Sequence, residues 1–381
     1  MRCYRKRYTD YPFYISPTSI VICGQRVSRK KPTALLVFLV MVTTTMVCWH
    51  IGNERILEEI GVSTYTPPPL HTECDFAVAM GSGLESTRGL YASINSIMSN
   101  FKNDEKSLCF FVFSTKKDFE LRESGLKCAF DSLPKNVRIF NREIRRDEWD
   151  EKAIFTPQEA SQADVGLTSI ASLMEYTFAR YYLKPEHVDG MRRVIWIDSD
   201  TIIQDDIAKI YDWNLHGKVV GGVNYWQPLK DYLCTNPRLG RISMKTSEGR
   251  RNPFQVKKHL NSGLLVMDLY EMQKQHIISD WNKLLQLHLD DCLWKESDKA
   301  FNLVIKGKYE ELPREWNVGY LGTQEFQRYT SSCEKAKILH WNGVGKPYAS
   351  EGRGESLCVN QFDAYDIISL EDKAQCLPGN Q

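Results

Sequence analysis

The pattern Asp198-Ser199-Asp200 follows the apolar run Val194-Ile195-Trp196-Ile197, so two carboxylates stand one residue apart at the end of a strand. Carboxylate oxygens suit a hard divalent cation, Mg²⁺ or Mn²⁺, better than zinc. A cation held there would neutralise a diphosphate and stabilise the charge that develops on it as it leaves. Taken alone, the pair is equally a solvated turn. It also matches the opening of a haloacid-type phosphatase site, which places Thr or Val two residues after the second Asp and a Gly-Asp pair later. This chain has Ile202 at the first of these places and no later Gly-Asp pair.

The segments around the pair alternate in type. A strand at 75–80 (DFAVAM) runs through Gly81-Ser82-Gly83 towards an amphipathic helix at 91–100 (YASINSIMSN). A second strand at 108–113 precedes a polar helix near 117–127, and a third strand is expected near 137–140. Residues 169–183 read as a helix that delivers the chain into RVIWID, 193–198, an apolar strand buried on both faces. Strands separated by helices predict an α/β fold with a mixed, mostly parallel sheet. In such sheets ligands gather at the carboxyl ends of the strands, where Asp198 and Asp200 stand.

Four motifs, the first of which contains the acid pair, follow one another in order. They are RVIWIDSDTIIQDDIAKIYD (193–212), HLNSGLLVMDL (259–269), DKAFNLVIKGKYEELPREWNV (298–318) and KAKILHWNGVGKPY (335–348). With the YASINSIMSN helix, they resemble glycosyltransferase family 8, and within it the animal glycosyltransferase 8 domain-containing proteins. The resemblance covers roughly residues 75–348, and motifs in a fixed order are far more specific than any one of them.

The resemblance implies a GT-A-like fold, a UDP-sugar donor, Mn²⁺ (or Mg²⁺) as cofactor, and transfer with retention of anomeric configuration. It makes Asp198, Asp200 and His340 the metal ligands, an imidazole added to two carboxylates. A buried histidine considered alone is more often a hydrogen-bonded core residue. Lys346 matches the lysine that grips the diphosphate, while Gly343 and Gly345 let backbone N–H groups approach an anion closely. Asn261, Ser262 and Gly263 match a turn facing the donor sugar. Arg180, in FARYYL, matches a helix arginine near the donor, and Ala79, Ser82 and Gly83 complete the donor-binding set.

Two departures stand out. Relatives often place Asp and Asn after the first strand to hold uridine, whereas this chain has Gly81, Ser82, Gly83 and Leu84. Ser82 and backbone groups would have to substitute. Many relatives also carry Asp-Gln-Asp before the asparagine corresponding to Asn302, where this chain has Ser297-Asp298-Lys299. Asp298 is the residue expected to act catalytically beneath the donor sugar; its rival role is a dipole-stabilised residue at a helix start.

The chain has 381 residues, with Lys plus Arg 49 against Asp plus Glu 48, so no strongly basic face for nucleic acid is indicated. The charges are unevenly placed. Arg2, Arg5, Lys6, Arg7, Arg26, Arg29, Lys30 and Lys31 precede an uncharged run from Thr33 to Trp49. As a helix that run spans about 25 Å, near the short limit for a bilayer. The basic flank belongs in the cytosol. A cleaved signal peptide would have a shorter leading region and a small-residue cleavage site.

The expected organisation is a cytoplasmic tail (1–32), a membrane-spanning signal anchor (33–50), a proline-containing stem (51–73), a catalytic domain (74–350) and an extension (351–381). Cys74, Cys109, Cys128, Cys234, Cys292, Cys333, Cys358 and Cys376 follow the span, an even number suited to disulfides in an oxidising lumen. There is no Asn-x-Ser/Thr sequon. The reading is a single-pass type II Golgi (or ER) membrane protein with its catalytic domain lumenal. It would move a hexose or pentose from a UDP-sugar to a glycan, protein or lipid acceptor. A lumenal nucleotide-sugar-binding protein with a decayed site is the alternative.

Overall fold

A computed structural model describes residues 13–15, 19–22, 25–28, 73–144, 176, 179–225, 244–246, 249–251, 259–291, 297–323, 333–349 and 353–378. The chain divides into two units, Met1–Pro68 and Pro69–Gln381. In the first, β1 (Phe13–Ile15), β2 (Ser19–Ile22) and β3 (Gln25–Ser28) form an antiparallel sheet. The expected span, 33–50, and most of the stem lie outside the described residues. Among the described residues no helix is long and apolar enough to cross a membrane.

The second unit is organised by a seven-stranded sheet. Its first three strands are β4 (Phe76–Gly81), β5 (Leu108–Ser114) and β6 (Val137–Glu143). Every residue of β5, LCFFVFS, is buried, as a continuous apolar run in a covered parallel sheet should be. Between these strands run α1 (Thr87–Asn100) and α2 (Phe119–Ala129). The first helix begins four residues before its amphipathic stretch. A 3-10 turn at Leu84–Ser86 winds the chain into it, and Thr87 Oγ1 donates to Leu84 O at 2.6 Å.

Next come β7 (Arg193–Ile197), β8 (Thr201–Ile203), α3 (Ala208–Tyr211), β9 (Val220–Gly222), β10 (Asn224–Tyr225), β11 (Met244–Thr246), β12 (Gly249–Arg251), β13 (His259–Leu260) and β14 (Leu264–Asp268). Helices α4 (Leu269–Lys274), α5 (Ile277–Asp291) and α6 (Ser297–Val304) precede β15 (Tyr309–Glu311) and β16 (Ile338–His340). The order in the large sheet is β15-β9-β14-β7-β4-β5-β6. Only β14 runs against its neighbours, so the sheet is mixed and mostly parallel.

That one reversed strand positions the site. In β14, Leu264 pairs with Ile197 and Asp268 with Arg193. The entry to β14, Asn261-Ser262-Gly263, is thereby carried to the carboxyl end of β7, where Asp198 N donates to Gly263 O at 2.9 Å. A second, two-stranded ladder supplies the remaining part. β16 pairs antiparallel with β8, placing His340 opposite Thr201, and Trp341 N donates to Asp200 O at 2.9 Å.

The carboxyl-terminal segment wraps behind α1 and α2. Arg88 forms an ion pair with Asp366, Asn95 Nδ2 donates to Tyr365 O at 3.0 Å, and Lys373 Nζ donates to Ala129 O at 2.8 Å. Disulfides join Cys74 to Cys109, Cys128 to Cys376 and Cys333 to Cys358. Six of the eight cysteines after the stem are thus paired; Cys234 and Cys292 lie outside the described residues.

Candidate active site

Asp198, Asp200 and His340 converge. One ligand atom from each lies within 4.8 Å of the other two, and no other such group of three ligating residues occurs among the described residues. Asp198 closes β7, Asp200 opens the turn into β8, and His340 ends β16, so each position follows from strand register.

Each ligand is oriented by neighbours. Trp196 Nε1 donates to Asp198 Oδ1 at 2.9 Å, and Arg180 Nη2 lies 3.1 Å from the same oxygen. Arg180 is buried, donates through Nη1 to Ser262 O at 2.7 Å, and stands over the Trp196 ring at 5.2 Å. Asp200 Oδ2 accepts from Lys346 Nζ, which also donates to Trp341 O at 2.7 Å. Burial pushes the Asp200 carboxyl up, but Lys346 and His340 outweigh burial and hold it far below the usual carboxylate range. Burial, with the charge of Asp200 nearby, drives the Tyr348 phenol well above its ordinary value.

His340 is 1% exposed, and its Nδ1 lies 3.0 Å from Asn317 Oδ1. Its Nε2 is buried without a hydrogen-bond partner. That atom comes within 3.2 Å of Asp200 Oδ1, a separation of ion-pair length. An orphaned imidazole nitrogen facing two carboxylates is the donor set a divalent cation takes, and these residues fit one.

The expected donor-facing residues divide into two groups. Asn261, Ser262 and Gly263 are buried beside the cluster and brace it. The Asn261 Oδ1 accepts from Gly263 N and from Asn317 Nδ2, each at 3.0 Å. Lys346 and Gly343 lie in the segment after β16, where Gly343 takes φ +118°, a conformation that favours glycine. At the other end, Ala79 is fully buried within β4 between Phe111 and Trp196. The Ser82 hydroxyl is taken by Arg122 Nη2 at 3.2 Å, and Glu85 folds over Gly83. Asp298 falls in the first turn of α6.

Sequence reasoning missed Arg122, Trp196 and Asn317. Arg122 is 1% exposed and donates to Thr87 Oγ1, Ser82 O and Gly83 O at 2.8, 2.8 and 3.0 Å, so it secures the β4–α1 loop from beneath. Nothing in its local sequence marks it off from a surface arginine on a polar helix. Asn317 was visible only as part of the PREWNV stretch. Asn302 holds β13 as a strand neighbour would: Leu260 N donates to its Oδ1 at 2.6 Å and its Nδ2 donates to Leu260 O at 3.1 Å.

Residues 62–352 match the family described as Glycosyl transferase family 8. The curated relatives include glycosyltransferase 8 domain-containing protein 1 of Xenopus laevis, 26% identical over 301 residues, covering 72% of this chain and 74% of that protein. Glycosyltransferase 8 domain-containing protein 2 of Macaca fascicularis is 23% identical over 351 residues, covering 84% of this chain and 91% of the relative. Among solved structures, the bifunctional glycosyltransferase WbbM in its apo form shares the fold. The TM-score is 0.53 at 16% identity, over 80% of this chain and 52% of that one. This chain therefore spans about half the length of WbbM.

Proposed function

The chain belongs to glycosyltransferase family 8, and on that premise we propose that it transfers a hexose or pentose from a UDP-sugar to a glycan, protein or lipid acceptor with retention of anomeric configuration. The observation that carries this reading is the convergence of Asp198, Asp200 and His340 within 4.8 Å, with the His340 Nε2 unpartnered. These residues would hold a divalent cation, Mn²⁺ or Mg²⁺, which when bound supplies positive charge to the departing diphosphate.

The chain's own groups do the rest. Arg180 fixes the Asp198 carboxylate and the Ser262 backbone together, so the site does not have to reorganise when the donor arrives. Lys346 neutralises Asp200 in this structure and is the group free to turn to a phosphate oxygen once that charge is matched. Of the two glycines expected to offer backbone N–H groups, Gly345 instead donates its own to Gly322 O at 2.9 Å, which leaves Gly343 for that role. Asp298, beneath the sugar, would stabilise positive charge at the anomeric carbon.

The test is full-length protein with Mn²⁺ and a panel of UDP-glucose, UDP-galactose, UDP-xylose and UDP-N-acetylglucosamine, following UDP release and thermal protection. Release by wild type, lost in Asp198→Ala, Asp200→Ala and His340→Ala, supports transfer. Protection without turnover by any donor supports instead the binding-protein reading, which Lys299 favours by replacing an acid that relatives carry.

The same proposal places the catalytic domain in the Golgi or ER lumen behind a single anchor at 33–50. The basic cluster before Thr33 and the three disulfides support it. Digestion of a carboxyl-terminal tag in intact microsomes would refute that topology.

A further inference from the structure

Asn317 is 1% exposed and sits between the 3-10 turn Arg314–Trp316 and the Val318 bridge to Leu339. Its hydrogen bonds settle a question that an imidazole's shape leaves open, namely which ring nitrogen of His340 carries the proton. The chain of inference starts from a group that can only donate. Gly263 N–H lies 3.0 Å from Asn261 Oδ1, which identifies that amide atom as the oxygen. Asn317 approaches the same oxygen at 3.0 Å, so the atom it presents there is Nδ2.

The other amide atom of Asn317, Oδ1, therefore faces His340 Nδ1 at 3.0 Å. An amide oxygen accepts and never donates, so Nδ1 holds a proton, and in the neutral ring the lone pair is on Nε2. The opposite tautomer would set two acceptors against each other at that distance, between residues that are each 1% exposed.

We propose that Asn317 is a positioning residue: anchored through Asn261 to the Gly263 backbone, it locks His340 as the Nδ1–H tautomer so that Nε2 is always ready to ligate a divalent cation beside Asp198 and Asp200. The inference rests on reading those three residues as a metal site. The Gly263 N–H thus determines, two side chains away, which nitrogen the metal meets. Partners of this kind on a ligating histidine are typically worth 10–100-fold in metal affinity.

The probe is Mn²⁺ alone, titrated calorimetrically into full-length protein without donor. Asn317→Leu, which fills the space but accepts nothing, is expected to bind Mn²⁺ 10–100-fold more weakly. Wild-type affinity in Asn317→Leu overturns the proposal, and the tautomer read directly in cation-free protein is the readout that a purely structural role would not move.

Should Asn317→Leu not fold, the tautomer is read directly in cation-free wild type. Long-range proton–nitrogen correlation in histidine-labelled protein is used, with the His340 signals identified by their loss in His340→Gln. An Nδ1–H pattern supports the proposal and an Nε2–H pattern overturns it. Asp198→Ala separates the two layers of argument. Undiminished Mn²⁺ binding there removes the metal reading and this inference together, whereas weakened binding there with an unaffected Asn317→Leu removes this inference alone.

Discussion

The imidazole of His340 rests on the bare backbone of Gly263. A Cβ added at residue 263 would lie 2.2 Å from His340 Cε1 and 2.9 Å from each ring nitrogen. The contact is possible because β14 runs against the rest of the sheet and brings its first turn beside the end of β7, while β16 delivers His340 from the other side. Glycine at 263 therefore serves the histidine, in addition to any contact with a donor.

Gly263→Ala is expected to push the ring off its seat, since His340 is 1% exposed and the added methyl would overlap its ring. Overpacking of this kind costs about 1–3 kcal/mol of stability. Mn²⁺ affinity should fall by an order of magnitude or more, because Nε2 leaves the axis shared with the two carboxylates. Calorimetric titration with Mn²⁺ beside a thermal melt checks both. Unchanged affinity would show that the ring is not seated as described.

The sheet and the acid pair were legible in the sequence for a simple reason. Parallel strands buried on both faces must be continuous apolar runs, and β4, β5 and β7 are. His340, by contrast, becomes a ligand only through the pairing of β16 with β8, a contact between distant segments that no local periodicity encodes. Only the ordered motifs pointed to it. The Asn261-Ser262-Gly263 turn was read as donor-facing; in the structure Asn261 Oδ1 accepts from Gly263 N and Asn317 Nδ2, and Ser262 O accepts from Arg180. Ser82 was read as a uridine contact, and a buried arginine from the next helix already holds its hydroxyl. Such side-chain partnerships have no sequence period, so Arg122 and Asn317 stayed invisible until the strands were in place.

Lys346 occupies Asp200 as a counter-cation, so it competes with any metal for that carboxylate. Lys346→Met should therefore bind Mn²⁺ alone more tightly than wild type, while binding UDP in the presence of Mn²⁺ more weakly for want of a phosphate partner. Paired titrations, metal first and nucleotide second, test the opposition. A variant that weakens both, or neither, would place Lys346 outside this exchange.

His187 gives the domain an acid-sensitive point away from the site. Burial, against a smaller opposing effect of Glu186, lowers its pKa from 6.5 to about 4, and its Nδ1 accepts from Lys184 N at 3.3 Å. The unfolded chain binds the proton first as pH falls, so the stability this group contributes is full above about 6.5 and is lost on descending towards 4. His187→Gln should flatten the denaturant midpoint against pH across that window. An unaltered slope would show that His187 is not the group responsible.

The Cys128–Cys376 disulfide closes a loop of 248 residues and ties α2, which carries Arg122, to the carboxyl-terminal segment. Its removal in Cys128→Ser is expected to cost about 2–5 kcal/mol. A thermal melt of the variant, compared with wild type under non-reducing conditions, reads the loss. An unchanged melting temperature would mean that the packing of Asp366 and Lys373 suffices to hold the segment.

The last prediction concerns Asp298. It stands in the first turn of α6, four positions before Asn302, so the two share one face of that helix. Asn302 is tied to the Leu260 backbone immediately before the Asn261-Ser262-Gly263 turn. A retaining transfer needs a group opposite the leaving diphosphate to stabilise an oxocarbenium-like carbon, and a carboxylate is the strongest such group. The family resemblance implies a glutamine at this position, so a carboxylate here alters the chemistry available. Asp298→Asn preserves size and most hydrogen bonding while removing the charge. Turnover reduced by about a hundredfold or more, with UDP-sugar affinity intact, would mark a loss confined to the transition state, about 2.7 kcal/mol or more. If the variant turns over as wild type does, Asp298 serves only the helix start, where its charge meets the positive end of the dipole.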